Sequence, residues 1–194
     1  MPKSVHQRGE RRIASTSADS SQHELPNQWD LVTRLKRKLD RSRRIGFRQF
    51  TAEGRHLLIN GKRTFLRGNL ECAIFPQTGH PDAEGPQWEK IMRTSREYGL
   101  NHLRFHSWCP PAAAFEAADR HGIYLQVELP NWTFDMGRKP KVDAFFASEG
   151  ERIFREYGHH PSFVLFSLGN ELKGDLASMD RLIERFRAIA PDLL

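Results

Sequence analysis

Ser162-Phe163-Val164-Leu165-Phe166-Ser167-Leu168-Gly169-Asn170-Glu171 is a near-continuous apolar run with an abrupt polar end. An unbroken apolar run is the pattern of a strand buried on both faces of a parallel sheet. Asn170 and Glu171 then stand where such a strand emerges at its C-terminal end. In open α/β sheets and α/β barrels, that end is where ligands bind and chemistry occurs. The same residues also suit a plain strand-to-helix turn, with Asn170 capping the next helix and Glu171 favoured by the dipole of its first turn. The stretch by itself leaves both readings open.

The chain on either side repeats one pattern. A helix opens at Pro86, runs through Trp88, Ile91, Met92 and Ser95, and stops at Gly99. A strand over 100–106 follows, and Pro110-Pro111 lead into a helix over Ala112–His121 with Gly122 at its C′ position. Then come a strand over 123–129, a helix over about 143–157 ended by Gly158, and the opening stretch. A fourth helix is marked by Leu176, Met179, Leu182, Ile183, Phe186 and Ile189. Strands alternating with helices predict parallel βαβ units. Ahead of them, 47–50 and 56–59 read as two strands around Gly54-Arg55, and Asn60-Gly61 is a strong two-residue hairpin signal.

The 194 residues suffice for one domain with a core, but fall short of the roughly 250 of a complete (β/α)8 barrel. Residues 1–50 hold 12 Lys and Arg against 5 Asp and Glu, so the rest carries 18 against 19 and is close to neutral. The net charge of +6 therefore argues for no nucleic-acid-binding fold. Residues 1–24 read as a disordered leader without a secretory signal. Residues 25–45 read as a basic segment, with seven Lys or Arg between Arg34 and Arg44 that suit a solvated charge run. No stretch has the length of a membrane span. Cys72 and Cys109 are too few for a disulfide framework and lack zinc spacing. No metal or other cofactor is expected.

Strand alternation places His102, Arg104 and His106 on one face and Leu103 and Phe105 on the other. The next strand sets Tyr124, Gln126 and Glu128 against Ile123, Leu125, Val127 and Leu129. Polar groups thus converge at successive strand ends, and the loops beyond add Trp108, Asn131, Trp132 and Phe134. Aromatic platforms among hydrogen-bonding groups suit sugars, whose C–H faces are apolar and whose hydroxyls need partners. Taken singly, Arg104 and Glu128 also read as a buried ion pair, and His106 as a hydrogen-bonded core histidine.

Gly46-Phe47-Arg48, Leu58-Ile59-Asn60-Gly61-Lys62, Phe65-Leu66-Arg67-Gly68 and Asn101-His102-Leu103-Arg104 resemble the entry into the catalytic barrel of glycoside hydrolase family 2. His160-Pro161-Ser162 and Ser167-Leu168-Gly169-Asn170-Glu171 match the most diagnostic motif of that family, which includes β-galactosidases, β-glucuronidases and β-mannosidases. The resemblance covers about residues 46–194, and 26–35 is similar to the last strands of the β-sandwich preceding the barrel. It implies an α/β fold, the N-terminal half of a (β/α)8 TIM barrel preceded by a β-hairpin. It implies a retaining glycosidase acting on a β-linked carbohydrate, with Glu171 as general acid/base and Asn170 binding the hydroxyl beside the reacting carbon. Arg104, His106, Glu128 and Trp132 are the other substrate-binding candidates.

The chain departs from the family at Cys72, where a His is common, at the order His106-Ser107, and at Phe166, where Trp is common. The family's nucleophilic Glu lies on the seventh barrel strand, so no residue here takes that role, and the isolated chain is expected to be inactive. Alternatives are a cellulase- or β-mannanase-like glycosidase of the same clan, a non-catalytic carbohydrate-binding remnant, and nucleic-acid binding through 34–44. Neither a nucleic acid nor a membrane is expected as partner. An unpaired fourth strand predicts self-association or pairing with a C-terminal half.

Overall fold

The computed structural model describes residues 30–31 and 45–194. Two short strands, β1 (Asp30–Leu31) and β2 (Ile45–Gly46), pair antiparallel. The leader 1–24 and the basic run 34–44 lie outside the described residues.

A three-stranded meander follows, made of β3 (Phe50–Glu53), β4 (His56–Ile59) and β5 (Lys62–Thr64). Asn60 (φ 52) and Gly61 (φ 74) both take positive φ, as a tight hairpin of the right twist requires. The Asn60 carboxamide also accepts the Gln49 N–H at 2.9 Å. The first strand, expected over 47–50, lies three residues later. Two-residue turns at Gly54-Arg55 and Asn60-Gly61 set the register Phe50↔Ile59 and Glu53↔His56. Phe47 stays 57% exposed, and the Arg48 side chain is drawn away to donate through Nε to Phe163 O at 2.8 Å.

The rest is a four-stranded parallel sheet in the order β6 (Gly68–Glu71), β7 (His102–Phe105), β8 (Tyr124–Glu128) and β9 (Phe163–Ser167). Helices α1 (Pro86–Glu97), α2 (Ala112–His121) and α3 (Pro140–Tyr157) connect the strands, and α4 (Leu176–Ile189) follows β9. Pro86 and Pro140 sit at helix starts, where a missing N–H costs nothing. Gly122 ends α2 at φ 65, and Asp175 caps α4 by accepting the Ser178 N–H at 2.9 Å. Helix α3 begins three residues earlier than the apolar pattern indicated, because Pro140 supplies the start.

One face of the sheet packs on the helices. Leu103, Phe105, Leu125, Val127 and Phe163 join Trp88, Met92 and Phe115 in the main core. The other face is apolar only near the strand starts, where Tyr124 and Val164 meet Phe50 and Ile59 of the meander. The meander thus covers that face at one end and leaves it polar toward the C-terminal ends. A bulge between β8 and β9 steps the register from Leu125↔Phe163 to Gln126↔Leu165. It sets Ser167 opposite Glu128, bringing the last residues of both strands level.

Candidate active site

Three strands lead into residues with unusual backbones at the same edge of the sheet. Ala73 (φ 56), Ser107 (φ 57) and Glu171 (φ 48) follow β6, β7 and β9 in the left-handed region. Such conformations cost roughly 1–3 kcal/mol each and cluster at functional sites.

Glu128 is the centre of charge. It is fully buried, and its Oε1 accepts Arg104 Nε at 2.7 Å and Gln126 Nε2 at 3.3 Å. Its Oε2 accepts the Ser107 N–H at 2.8 Å. The ion pair considered from sequence therefore forms, but it is one arm of a fork. A second Arg104 nitrogen donates to Asn170 Oδ1 at 2.9 Å. Anchoring that oxygen leaves the Asn170 NH2 as the group free to donate outward.

Glu171 is exposed and stands beside the β8 loop. Trp132 Nε1 donates to its Oε2 at 3.1 Å, and the His106 ring meets the Trp132 ring edge-on at 5.0 Å. All six candidates, Arg104, His106, Glu128, Trp132, Asn170 and Glu171, thus lie within two linked contact sets at one edge. Trp132 and Phe134 are 56% and 58% exposed, a pair of open ring faces. Lys173 Nζ lies 5.2 Å from the Phe134 ring centre.

Trp108 does not belong to that platform. It packs against Phe75, Trp88 and Phe105, because the left-handed Ser107 turns the chain back over the helix-facing core. His102 is likewise a packing residue, with Nδ1 on Tyr124 O at 3.0 Å and burial holding its pKa low. Gly68 makes room for it, since a Cβ there would come within 2.7 Å of the His102 ring.

Asn131 was visible in the sequence only as a polar loop residue. It is buried, donates through Nδ2 to Leu168 O at 2.9 Å, and accepts the Asn170 N–H on its own carbonyl at 3.0 Å. Gly169 passes this carbonyl at φ 130, where any Cβ would collide with it. Gly169→Ala is therefore expected to destabilise the fold by about 1–3 kcal/mol, read as a lower urea midpoint at unchanged slope. Further along, Met136 and Gly174 form a parallel bridge, and Asp175 N–H donates to Met136 O at 2.8 Å. The β8 and β9 loops are zipped together by backbone.

Glu71 ends β6, where its carboxylate accepts the Ala73 N–H at 2.9 Å. Burial holds this carboxyl above its ordinary range, and the Ala73 bond offsets only part of that. A raised folded pKa stabilises the fold fully below the unfolded value, and that contribution is lost as pH rises through the folded value. Glu71→Gln should therefore gain stability relative to the parent between about pH 4 and pH 7. Urea melts at the two pH values with an unchanged difference would remove Glu71 from the pH dependence. Among the described residues, no group of three or more His, Cys, Asp and Glu is placed to hold a metal ion.

No protein-family model matches the chain. It is 27% identical over 136 residues to the β-galactosidase of Lactococcus lactis, covering 67% of this chain and 14% of that protein. It is 28% identical over 144 residues to the β-galactosidase of Yersinia pestis, covering 71% and 14%. Among solved structures, β-glucuronidase 3 of Bacteroides uniformis superposes with a TM-score of 0.69 at 21% identity, over 78% of this chain and 21% of that one. A family 2 β-galacturonidase of Eisenbergiella tayi gives 0.68 at 18% identity, over 77% and 28%.

The chain is glycoside hydrolase family 2-like.

The family 2-like chain spans about 14% of the length of these two curated relatives. The likeness to the solved structures is one of fold.

Proposed function

We propose that the chain is the acid/base half of a retaining glycoside hydrolase site, carried on the first four βα units of a (β/α)8 barrel. The observation that carries this reading is the pairing at the end of β9. An exposed Glu171 carboxylate sits beside an Asn170 amide whose orientation Arg104 holds. A retaining glycosidase needs one carboxyl group to protonate the departing oxygen, and later to take a proton from water. A second carboxylate about 5–5.5 Å away attacks the sugar.

Glu171 takes the first role, being open to solvent with one oxygen placed by Trp132. Asn170 donates its NH2 to the hydroxyl next to the reacting carbon. Glu128 is no nucleophile in this scheme: it is buried, and both its oxygens already accept hydrogen bonds from Arg104, Gln126 and Ser107. It anchors the Arg104 fork instead. Trp132, His106 and Phe134 supply ring surface and a donor for the substrate. The nucleophile then comes from outside these four units. The β-galactosidase names of the curated relatives favour a β-linked glycoside as substrate.

The test is turnover of aryl β-galactosides. The chain alone is expected to show none. Joined to the region that follows the matched segment in the Lactococcus β-galactosidase, it is expected to hydrolyse them with retention. Turnover by the chain alone, abolished by Glu171→Ala, would overturn the half-site. Sugar binding in equilibrium dialysis without turnover in either form would favour a carbohydrate-binding module, a reading that the open Trp132 and Phe134 rings also suit.

A further inference from the structure

Lys173 takes no part in the fork that holds Asn170. It lies two residues beyond Glu171, and its backbone is held on both sides. Its N–H donates to Thr133 O at 3.3 Å, and its carbonyl accepts the Met136 N–H at 3.1 Å. Its Nζ lies over the exposed Phe134 ring, 5.2 Å from the centre. Among the described residues, the acids on these loops are engaged elsewhere. Asp135 pairs with Lys139 at 2.6 Å and accepts the Thr133 hydroxyl, and Asp143 accepts the Gly137 N–H at 2.9 Å. Asp175 accepts the Ser178 N–H, and Glu171 accepts the Trp132 indole. Over 131–141 the β8 loop also carries Arg138, Lys139 and Lys141 against Asp135 alone, so the local field is positive.

We propose that Lys173 and Phe134 form a leaving-group subsite that selects an aromatic ring carrying a carboxylate. The proposal deepens the hydrolase reading and rests on it. A general acid stands between the sugar and the group that departs. Asn170 and the Arg104 fork occupy the sugar side. Phe134 and Lys173 lie farther out along the same two loops, which leaves them the departing side.

The chemistry around Phe134 favours an aromatic ring over a second sugar. A sugar's hydroxyls need hydrogen-bond partners, and the polar side chains flanking Phe134 are spent, since Thr133 and Asp135 bond each other and Asp135 also holds Lys139. An aromatic ring needs no such partners and packs on Phe134. Its carboxylate then meets an ammonium group that has no other anion to satisfy.

The test compares phenyl and 4-carboxyphenyl β-galactosides as ligands of the full 194-residue chain, by NMR titration at low and high salt. The carboxylated compound should bind about two- to fivefold tighter at low salt, a modest factor because Lys173 is exposed and Glu171 repels the same anion. The advantage should shrink as salt rises. Lys173→Met keeps an unbranched stem beside Phe134 and should erase the preference without weakening the phenyl compound, while Lys173→Glu should reverse it. Phe134→Ala should weaken both compounds by about twofold or more. A preference that survives Lys173→Met would overturn the proposal, as would an affinity indifferent to Phe134→Ala or no binding of either compound at millimolar concentration. Equal binding of the two compounds also overturns it and leaves the hydrolase reading standing. A preference lost in Lys173→Met, without turnover by the chain joined to the following β-galactosidase region, keeps the subsite as a binding site and overturns the hydrolase reading.

Discussion

On the proposed hydrolase reading, Glu171→Gln in the chain joined to the following β-galactosidase region is expected to lower kcat/KM for alkyl β-glycosides by roughly 10²–10⁴-fold, with most of the loss in kcat. The departing oxygen of an alkyl glycoside is a poor leaving group and needs a proton as the bond breaks. Gln keeps an oxygen that can still accept the Trp132 indole N–H, so the geometry at the end of β9 persists while the acid is lost. The loss should therefore depend on the leaving group. Glycosides of acidic phenols, which depart as stable anions, should lose far less in the first step. A uniform loss across leaving groups would mean that Glu171 acts on binding and not as an acid.

Glu128→Ala is expected to destabilise the folded chain by about 3–5 kcal/mol, the usual consequence of removing one partner from a buried ion pair. Three donors lose their acceptor together: Arg104, the Ser107 N–H and Gln126. Arg104 is about a third exposed, which gives its charge partial access to water and favours the lower end of that range. Glu128→Gln should cost less, because the amide oxygen replaces one acceptor while its NH2 opposes the donors it meets. Urea denaturation with a common slope measures both. A change below about 1 kcal/mol in the Ala variant would show the network to be solvated rather than buried.

Much of the element order could be read before the structure, for identifiable reasons. Gly99, Gly122 and Gly158 each stand between a helix and a strand. The alternation of 102–106 and 124–128 separated a helix-facing apolar set from a polar one, and Leu103, Phe105, Leu125 and Val127 are indeed in the core. The start of the meander was misplaced because Phe47-Arg48-Gln49-Phe50 reads as a strand on its own, while the register comes from turn geometry and from Arg48 reaching Phe163, 115 positions away.

At the site, local pattern could nominate Arg104, Glu128 and Asn170 and pair the first two, but could not bring Asn170 to them. The fork depends on the bulge that sets Ser167 level with Glu128, and a bulge leaves no clear mark in Phe163-Val164-Leu165. Trp108 and Trp132 look alike in sequence, each an aromatic after a strand. A single left-handed residue, Ser107, sends the first into the core. Asn131 showed in sequence only as a polar loop residue, since its work is done largely by its backbone carbonyl.

That carbonyl has a consequence for how such a protein changes. The backbone of the β8 loop forms the wall against which Gly169 and Asn170 are seated, and it continues as a splint along Gly174 and Asp175. The two loops therefore behave as one interchangeable part. A graft that replaces residues 131–136 alone, to retune what the Trp132 and Phe134 rings touch, would unseat the carboxylate one strand away. Exchanging 131–136 and 169–175 together preserves the seat while the rim is redrawn.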